Sequence, residues 1–211
     1  MKRALFAAIL LVPFAVLAAE AAGPAVKGSA EAGAAKAAPC TACHGVGGNG
    51  AINPEWPKLA GQHAPYIAKQ LAHFKAGERK NPVMLGQATL LADQDMADVA
   101  AYFASQKAVP GVASKDSLKV GTKLYRAGDA ARGIPACGGC HGPKGAGNPT
   151  ALYPRIGGQN AGYVAIQLAS YKKGKDGERG GGKQALTMSA VAAQLTDAEI
   201  AALSSYVSGL Q

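Results

Sequence analysis

An all-α fold of two tandem helical domains is predicted by three observations. The 211-residue chain repeats itself at a fixed offset, its apolar residues recur at helical spacing, and glycine and proline fall between the periodic stretches. At an offset of 97, Gly45 pairs with Gly142, Gly48 with Gly145, Gly50 with Gly147, Pro57 with Pro154, Gly61 with Gly158, Gln62 with Gln159, Tyr66 with Tyr163 and Gln70 with Gln167. Further on, an offset of 104 pairs Met84 with Met188, Leu91 with Leu195, Asp93 with Asp197 and Tyr102 with Tyr206. Seven extra residues therefore fall between Tyr171 and Met188, most naturally in the stretch from Lys172 to Lys183. The repeat divides the chain into domains at 20–106 and 116–211, joined by a linker at 107–115 that holds Pro110-Gly111 and little apolar periodicity.

The elements follow in order. Residues 1–19 combine a basic start (Lys2, Arg3), an apolar run from Ala4 to Leu17 and small residues at Ala18 and Ala19, the pattern of a cleaved secretory signal. The run falls short of the ~20 apolar residues that a membrane span needs. Helices are expected at Ala30 to Ala38, Ala64 to Lys75 and Asp95 to Gln106, then at Ser117 to Arg126, Ala161 to Lys172 and Asp197 to Ser208. In the last helix of each half, Met96, Val99, Ala100 and Phe103 match Ile200, Leu203, Ser204 and Val207 and form one inward stripe. Thr196 and Glu199 make a capping box in the second copy, whereas the first leaves Asp93 as the candidate cap. Met84 and Met188 are each expected in a loop before the terminal helix.

The chemistry sits in a pentapeptide that occurs twice. Cys40-Thr41-Ala42-Cys43-His44 returns as Cys137-Gly138-Gly139-Cys140-His141, and the two copies use all four cysteines. On a short helical turn, residues three and four apart share a face, so two thiols can form thioethers with one porphyrin while the histidine meets its iron. A zinc site would need four converging ligands, and a redox dithiol has no need of the histidine. The reading is therefore two covalently bound haem c groups, held by Cys40, Cys43, Cys137 and Cys140, with His44 and His141 as iron ligands.

A second axial ligand is found by inventory. Besides His44 and His141 there are only His63 and His73, which stand opposite Asn160 and Ser170, so no duplicated histidine pair exists. Of the methionines outside the signal, Met96 lies on the core stripe, while Met84 and Met188 recur in register, one per half. These two are assigned as the other iron ligands. The glycine-rich runs Gly45 to Gly50 and Gly142 to Gly147 recur in register and read as backbone packed close to the porphyrin; no strand precedes them and no Gly-Lys-Ser/Thr follows, so they are not phosphate loops.

The motif pair, Trp56-Pro57-Lys58-Leu59-Ala60-Gly61-Gln62 with its echo Tyr153-Pro154-Arg155-Ile156-Gly157-Gly158-Gln159, Asn81-Pro82-Val83-Met84 and Leu186-Thr187-Met188 resemble the dihaem cytochrome c4 family. The resemblance implies two class I cytochrome c domains, each wrapped around one covalent haem, with the haems facing each other across the domain interface. It assigns to Pro57 and Pro154 a carbonyl bond to the iron-bound histidine. The chain departs from strict duplication before the second motif, where Gly121 to Cys137 is longer than Gly33 to Cys40 and only the second copy has Tyr125.

Two six-coordinate haems imply electron transfer rather than catalysis on a substrate. The resemblance implies redox protein partners: a quinol-oxidising cytochrome complex as donor and a terminal oxidase as acceptor, in the periplasm. The alternatives are a haem subunit of a periplasmic dehydrogenase and a dihaem peroxidase, the latter needing a haem site that opens. The formal charge of +9 suits an acidic partner or peripheral association with an anionic membrane surface. Nucleic acid is excluded as a partner by the compartment and by an aromatic content of 6%.

Overall fold

The computed structural model describes residues 26–50, 52–179 and 183–211. The expected signal segment, 1–19, lies outside the described residues. Ten helices are described: α1 (Ala30–Lys36), α2 (Ala38–His44), α3 (Ala64–Lys75), α4 (Pro82–Thr89), α5 (Asp93–Ser105), α6 (Lys115–Arg126), α7 (Cys137–His141), α8 (Ala161–Lys172), α9 (Lys183–Ala192) and α10 (Asp197–Ser208). The described residues contain no strand, only two isolated bridges, Asp129 with Ile134 and Asn148 with Tyr153.

Each half is built on a helix crossing that only glycine allows. α1 packs on α5, and α6 on α10. A Cβ at Gly33 would lie 2.0 Å from the Asp98 carbonyl oxygen and 2.8 Å from the Tyr102 Cβ; at Gly121 it would lie 3.0 Å from the Ala202 oxygen and 2.5 Å from the Tyr206 Cβ. Asp98 and Ala202, like Tyr102 and Tyr206, are partners at the 104 offset, so one crossing is used twice. α3 and α8 close the other side of α5 and α10. The first core gathers Ile67, Leu71, Phe74, Met96, Val99 and Phe103; the second gathers Leu124, Tyr125, Ile134, Ile200, Leu203 and Val207. Burying each of the larger side chains contributes roughly 1.5–3 kcal/mol.

Several boundaries differ from the sequence expectation, each for a local reason. The helix expected over Ala30 to Ala38 breaks at Ala37, after which α2 begins with Pro39 in its first turn, where a missing N–H costs nothing. Asp93 is the first residue of α5 rather than its cap; Ala92 takes the cap position and Asp95 accepts from the Ala92 N–H at 2.9 Å. α6 begins at Lys115, so the last residue assigned to the linker is helical. Met84 and Met188 are not in loops. Met84 is in the first turn of α4, whose start is fixed by Asn81 accepting from the Met84 N–H at 3.0 Å, and Met188 lies within α9.

The halves meet through polar pairs related by the repeat. The Gln62 amide spans Arg155, donating to its carbonyl at 2.8 Å and accepting from its N–H at 2.9 Å. The Gln159 amide treats Lys58 in the same way, at 2.9 and 2.7 Å. Such reciprocal contacts define an isologous interface with an approximate two-fold axis, here within one chain. Beside them Arg79 and Arg179 are buried together among Gln70, Gln167, Tyr66 and Tyr163, and Glu178 pairs with Arg79 at 2.8 Å. Before α6 the connecting segment is strapped down by Asn49, which donates to the Lys107 carbonyl and accepts from the Val109 N–H.

Candidate haem sites

Both attachment motifs are helical. In α2 and α7 the two cysteines of each motif stand three residues apart with the histidine next in chain, and all four thiols are free of disulfides. Burial pushes the Cys137 thiol up to about 11 and raises Cys40 as well. A redox dithiol works through a lowered thiol pKa, so this environment argues against one. Among the described residues no group of three or more His, Cys, Asp and Glu could hold a metal ion, which leaves the zinc reading without donors. One thiol of each motif, Cys40 and Cys137, packs against the apolar core of its half, which fits thioether attachment of a porphyrin.

The histidines are held alike. His44 is buried and its Nδ1 lies 2.8 Å from the Pro57 carbonyl oxygen; His141 is buried with Nδ1 3.0 Å from the Pro154 carbonyl. A carbonyl oxygen only accepts, so Nδ1 carries the proton. Burial lowers both imidazole pKa values below the ordinary range, partly offset by that bond. A neutral ring with its proton on Nδ1 keeps a lone pair on Nε2, the atom a metal would take.

The glycine loops aim those carbonyls. The Gly48 carbonyl accepts from the N–H groups of Leu59 and Ala60 at 2.7 and 3.1 Å, and the Gly145 carbonyl accepts from Ile156 and Gly157 at 2.8 and 3.0 Å. Both glycines have positive φ, 75° and 66°, and a Cβ at either would strike the chain it clamps. The described partners of these glycines are thus the segments just after Pro57 and Pro154, which the loops lock in place.

The methionines are positioned by helix packing. Met84 and Cys40 both border the first core, and α4 rests on α3; Met188 is half-buried on α9, which rests on α8. Met96 is buried within the first core, on the stripe of α5. His63, outside the motifs, bonds across the interface to the Ala146 carbonyl at 2.8 Å, and His73 pairs with Glu78.

A helical domain carrying a Cys-x-x-Cys-His turn and a carbonyl-oriented histidine, present twice, defines a c-type cytochrome of two domains, with two covalently bound haem c groups as cofactors. The Cytochrome c family model matches residues 30–107 and again 119–211. Cytochrome c4 of Pseudomonas aeruginosa is 49% identical, with 87% of this chain and 89% of the relative covered. The crystal structure of reduced recombinant cytochrome c4 from Pseudomonas stutzeri superposes with a TM-score of 0.81 at 46% identity, covering 87% of this chain and 100% of that one. The thiosulfate dehydrogenase electron acceptor of Thiomonas intermedia is 38% identical over 82% of this chain and 78% of its own. The chain belongs to the cytochrome c4 family and is an electron-transfer cytochrome.

Sequence reasoning passed over the interface. Gln62, Tyr66 and Gln70 were visible as repeats of Gln159, Tyr163 and Gln167 without a role. Gly77-Glu78-Arg79 and Gly177-Glu178-Arg179 share a third offset, 100, which splits the seven extra residues into three before Gly177 and four after it. Polar residues that repeat in register, outside any core stripe, were the signal of a face buried against its own copy.

Proposed function

We propose that this chain carries single electrons in the periplasm from a respiratory donor complex to a terminal oxidase, without catalysing a reaction on a substrate of its own. The observation that carries the reading is the duplicated histidine geometry, a buried neutral ring fixed through Nδ1 with Nε2 left to ligate, in two halves that each carry a methionine on a helix. Haem c supplies the one-electron chemistry, cycling between Fe(III) and Fe(II). In this reading Cys40, Cys43, Cys137 and Cys140 anchor the group, and the Pro57 and Pro154 carbonyls hold the imidazoles in one orientation. Met84 and Met188 complete the coordination, close the position that oxygen or peroxide would need, and favour a high potential. The packed Gln62 and Gln159 interface keeps the two sites at a fixed separation, which suits internal electron exchange.

An anaerobic redox titration with optical detection, run beside intact-mass measurement, tests the proposal. The expected result is two covalent haems that oxidise and reduce reversibly and bind carbon monoxide poorly. Sustained peroxide turnover by the native protein would contradict it.

A second reading changes only the donor. The likeness to thiosulfate dehydrogenase electron acceptors favours electrons arriving from a periplasmic oxidoreductase rather than a quinol-oxidising complex. Reduction of the purified cytochrome by one donor preparation and not the other separates the two.

A further inference from the structure

The charge of the protein is not shared between its halves. Residues 26–106 hold seven Lys and Arg against six Asp and Glu, whereas residues 115–211 hold twelve against six. Much of that excess lies on α6. Lys115, Lys119, Lys123 and Arg126 are all exposed, spaced four, four and three apart so that they form one stripe. None is held in a salt bridge among the described residues, and Asp129, the carboxylate nearest in effect to Lys123, is taken by Arg132. Only Asp116 opposes them on the helix. With Gly33 and Gly121 in register, the same positions in the first half are Lys27, Glu31, Ala35 and Ala38, so the stripe has no counterpart there.

The stripe also lies beside a candidate haem. A Cβ at Gly138, inside the second motif, would meet the Tyr125 ring and carbonyl at 3.3 Å, and Cys137 Sγ lies 4.0 Å from the Leu124 carbonyl. The last turn of α6 therefore rests on the attachment turn α7, whose Cys140 is exposed. Two apolar side chains, Leu118 and Val120, are 44% and 40% exposed and border the stripe, one on either side of it. The geometry points to the outer face of α6 as the docking surface for an acidic redox protein, which exchanges electrons with the haem of the second domain. This rests on the carrier reading above. A basic stripe edged by exposed apolar side chains matches a carboxylate-rich face on a transient partner. An anionic bilayer fits less well: membrane-surface helices bury an apolar face in lipid, and the apolar face of α6 (Gly121, Leu124, Tyr125) is already spent on α10 and α7.

The test uses the holoprotein and reduced plant-type ferredoxin, a small acidic electron donor, in stopped-flow mixing over a range of salt. For the native protein the rate should fall as salt rises. The triple variant Lys115→Glu, Lys119→Glu, Lys123→Glu should react roughly tenfold or more slowly at low salt and lose that dependence. The charge-matched control Lys27→Glu, Lys80→Glu, Lys107→Glu, three exposed lysines away from α6, should keep both rate and slope. Equal rates for the native and triple-variant proteins would overturn the docking site. Loss of rate in the control as large as in the triple variant would overturn it too, leaving only net charge. Sedimentation with phosphatidylglycerol vesicles gives the other arm: binding lost in the triple variant while the ferredoxin rate holds would make the face lipid-binding instead. Reduction by dithionite reports on the carrier reading separately, since a protein that cannot be reversibly reduced fails there before any docking is measured.

Discussion

The two halves share the machinery around the histidine and differ in how the first helix is held. His44 with Pro57 and His141 with Pro154 make the same bond, and Gly48 and Gly145 clamp the same following segment. By contrast α1 is fastened by charge: Asp98, buried on α5, accepts from the Ser29 N–H at 2.9 Å and from Lys36 Nζ at 2.9 Å. Its counterpart, Ala202, has nothing to offer. α6 is fastened instead by Tyr125, fully buried, whose hydroxyl donates to the Gly142 carbonyl at 2.6 Å, while the segment after it is tied to α10 by Arg132, which bridges Asp129 and Glu199. The comparison teaches that after duplication the cofactor geometry tolerates little change while the means of pinning a helix over it can be replaced outright.

Among tests of this comparison, the largest expected effect breaks what the halves have in common. Gly33→Ala and Gly121→Ala should each lower the melting temperature, by an amount corresponding to about 1–3 kcal/mol of overpacking. Gly33→Ala should be the worse, since its Cβ would lie 2.0 Å from a backbone atom, the Asp98 carbonyl oxygen, whereas at Gly121 the nearest atoms are the Tyr206 Cβ at 2.5 Å and the Ala202 oxygen at 3.0 Å. Equal tolerance of both substitutions in thermal unfolding would show that the crossing is looser than described.

A pH series sharpens the difference. The Ser29 N–H first, then Lys36 and Gln94, hold the Asp98 carboxyl down to about 2 from the ordinary 3.8. A depressed carboxylate contributes stability that is full above the unfolded value and lost as pH falls through the folded one. Asp98→Asn should therefore lower the melting temperature at neutral pH, and the gap from the native protein should close between about pH 4 and pH 2. A gap that stays constant with pH would assign the loss to packing. The smallest effect belongs to the second half. Tyr125→Phe removes one hydrogen bond and should cost about 0.5–1.5 kcal/mol in denaturant unfolding, with ligation unchanged.

Much of this was legible in the sequence, and the exceptions have physical causes. α3, α8 and α10 were bounded to the residue because their apolar spacing faces a protein core and their ends carry ordinary stop signals. α4 was missed: it has eight residues, Gly86 inside it, and Val83 and Leu85 exposed, so only Met84 and Ala88 mark its core face, although Asn81-Pro82 is a proper helix start. The attachment cysteines and their histidines were readable from spacing alone, because covalent chemistry demands it. The interface was not, since Arg79 and Arg179 look like surface residues until the fold buries them against each other.

The account stands most directly on Met84 and Met188, which come from different helices and share only their register. Near-infrared spectra of the oxidised holoprotein measure a sulfur-to-iron band that requires methionine ligation. Met84→Ala and Met188→Ala should each remove about half of that band and lower the potential of one haem, while Met96→Ala should leave the band intact and lower stability alone, by roughly 2–5 kcal/mol for a buried side chain. A full band in both ligand variants would contradict the account, because another group would then hold the iron.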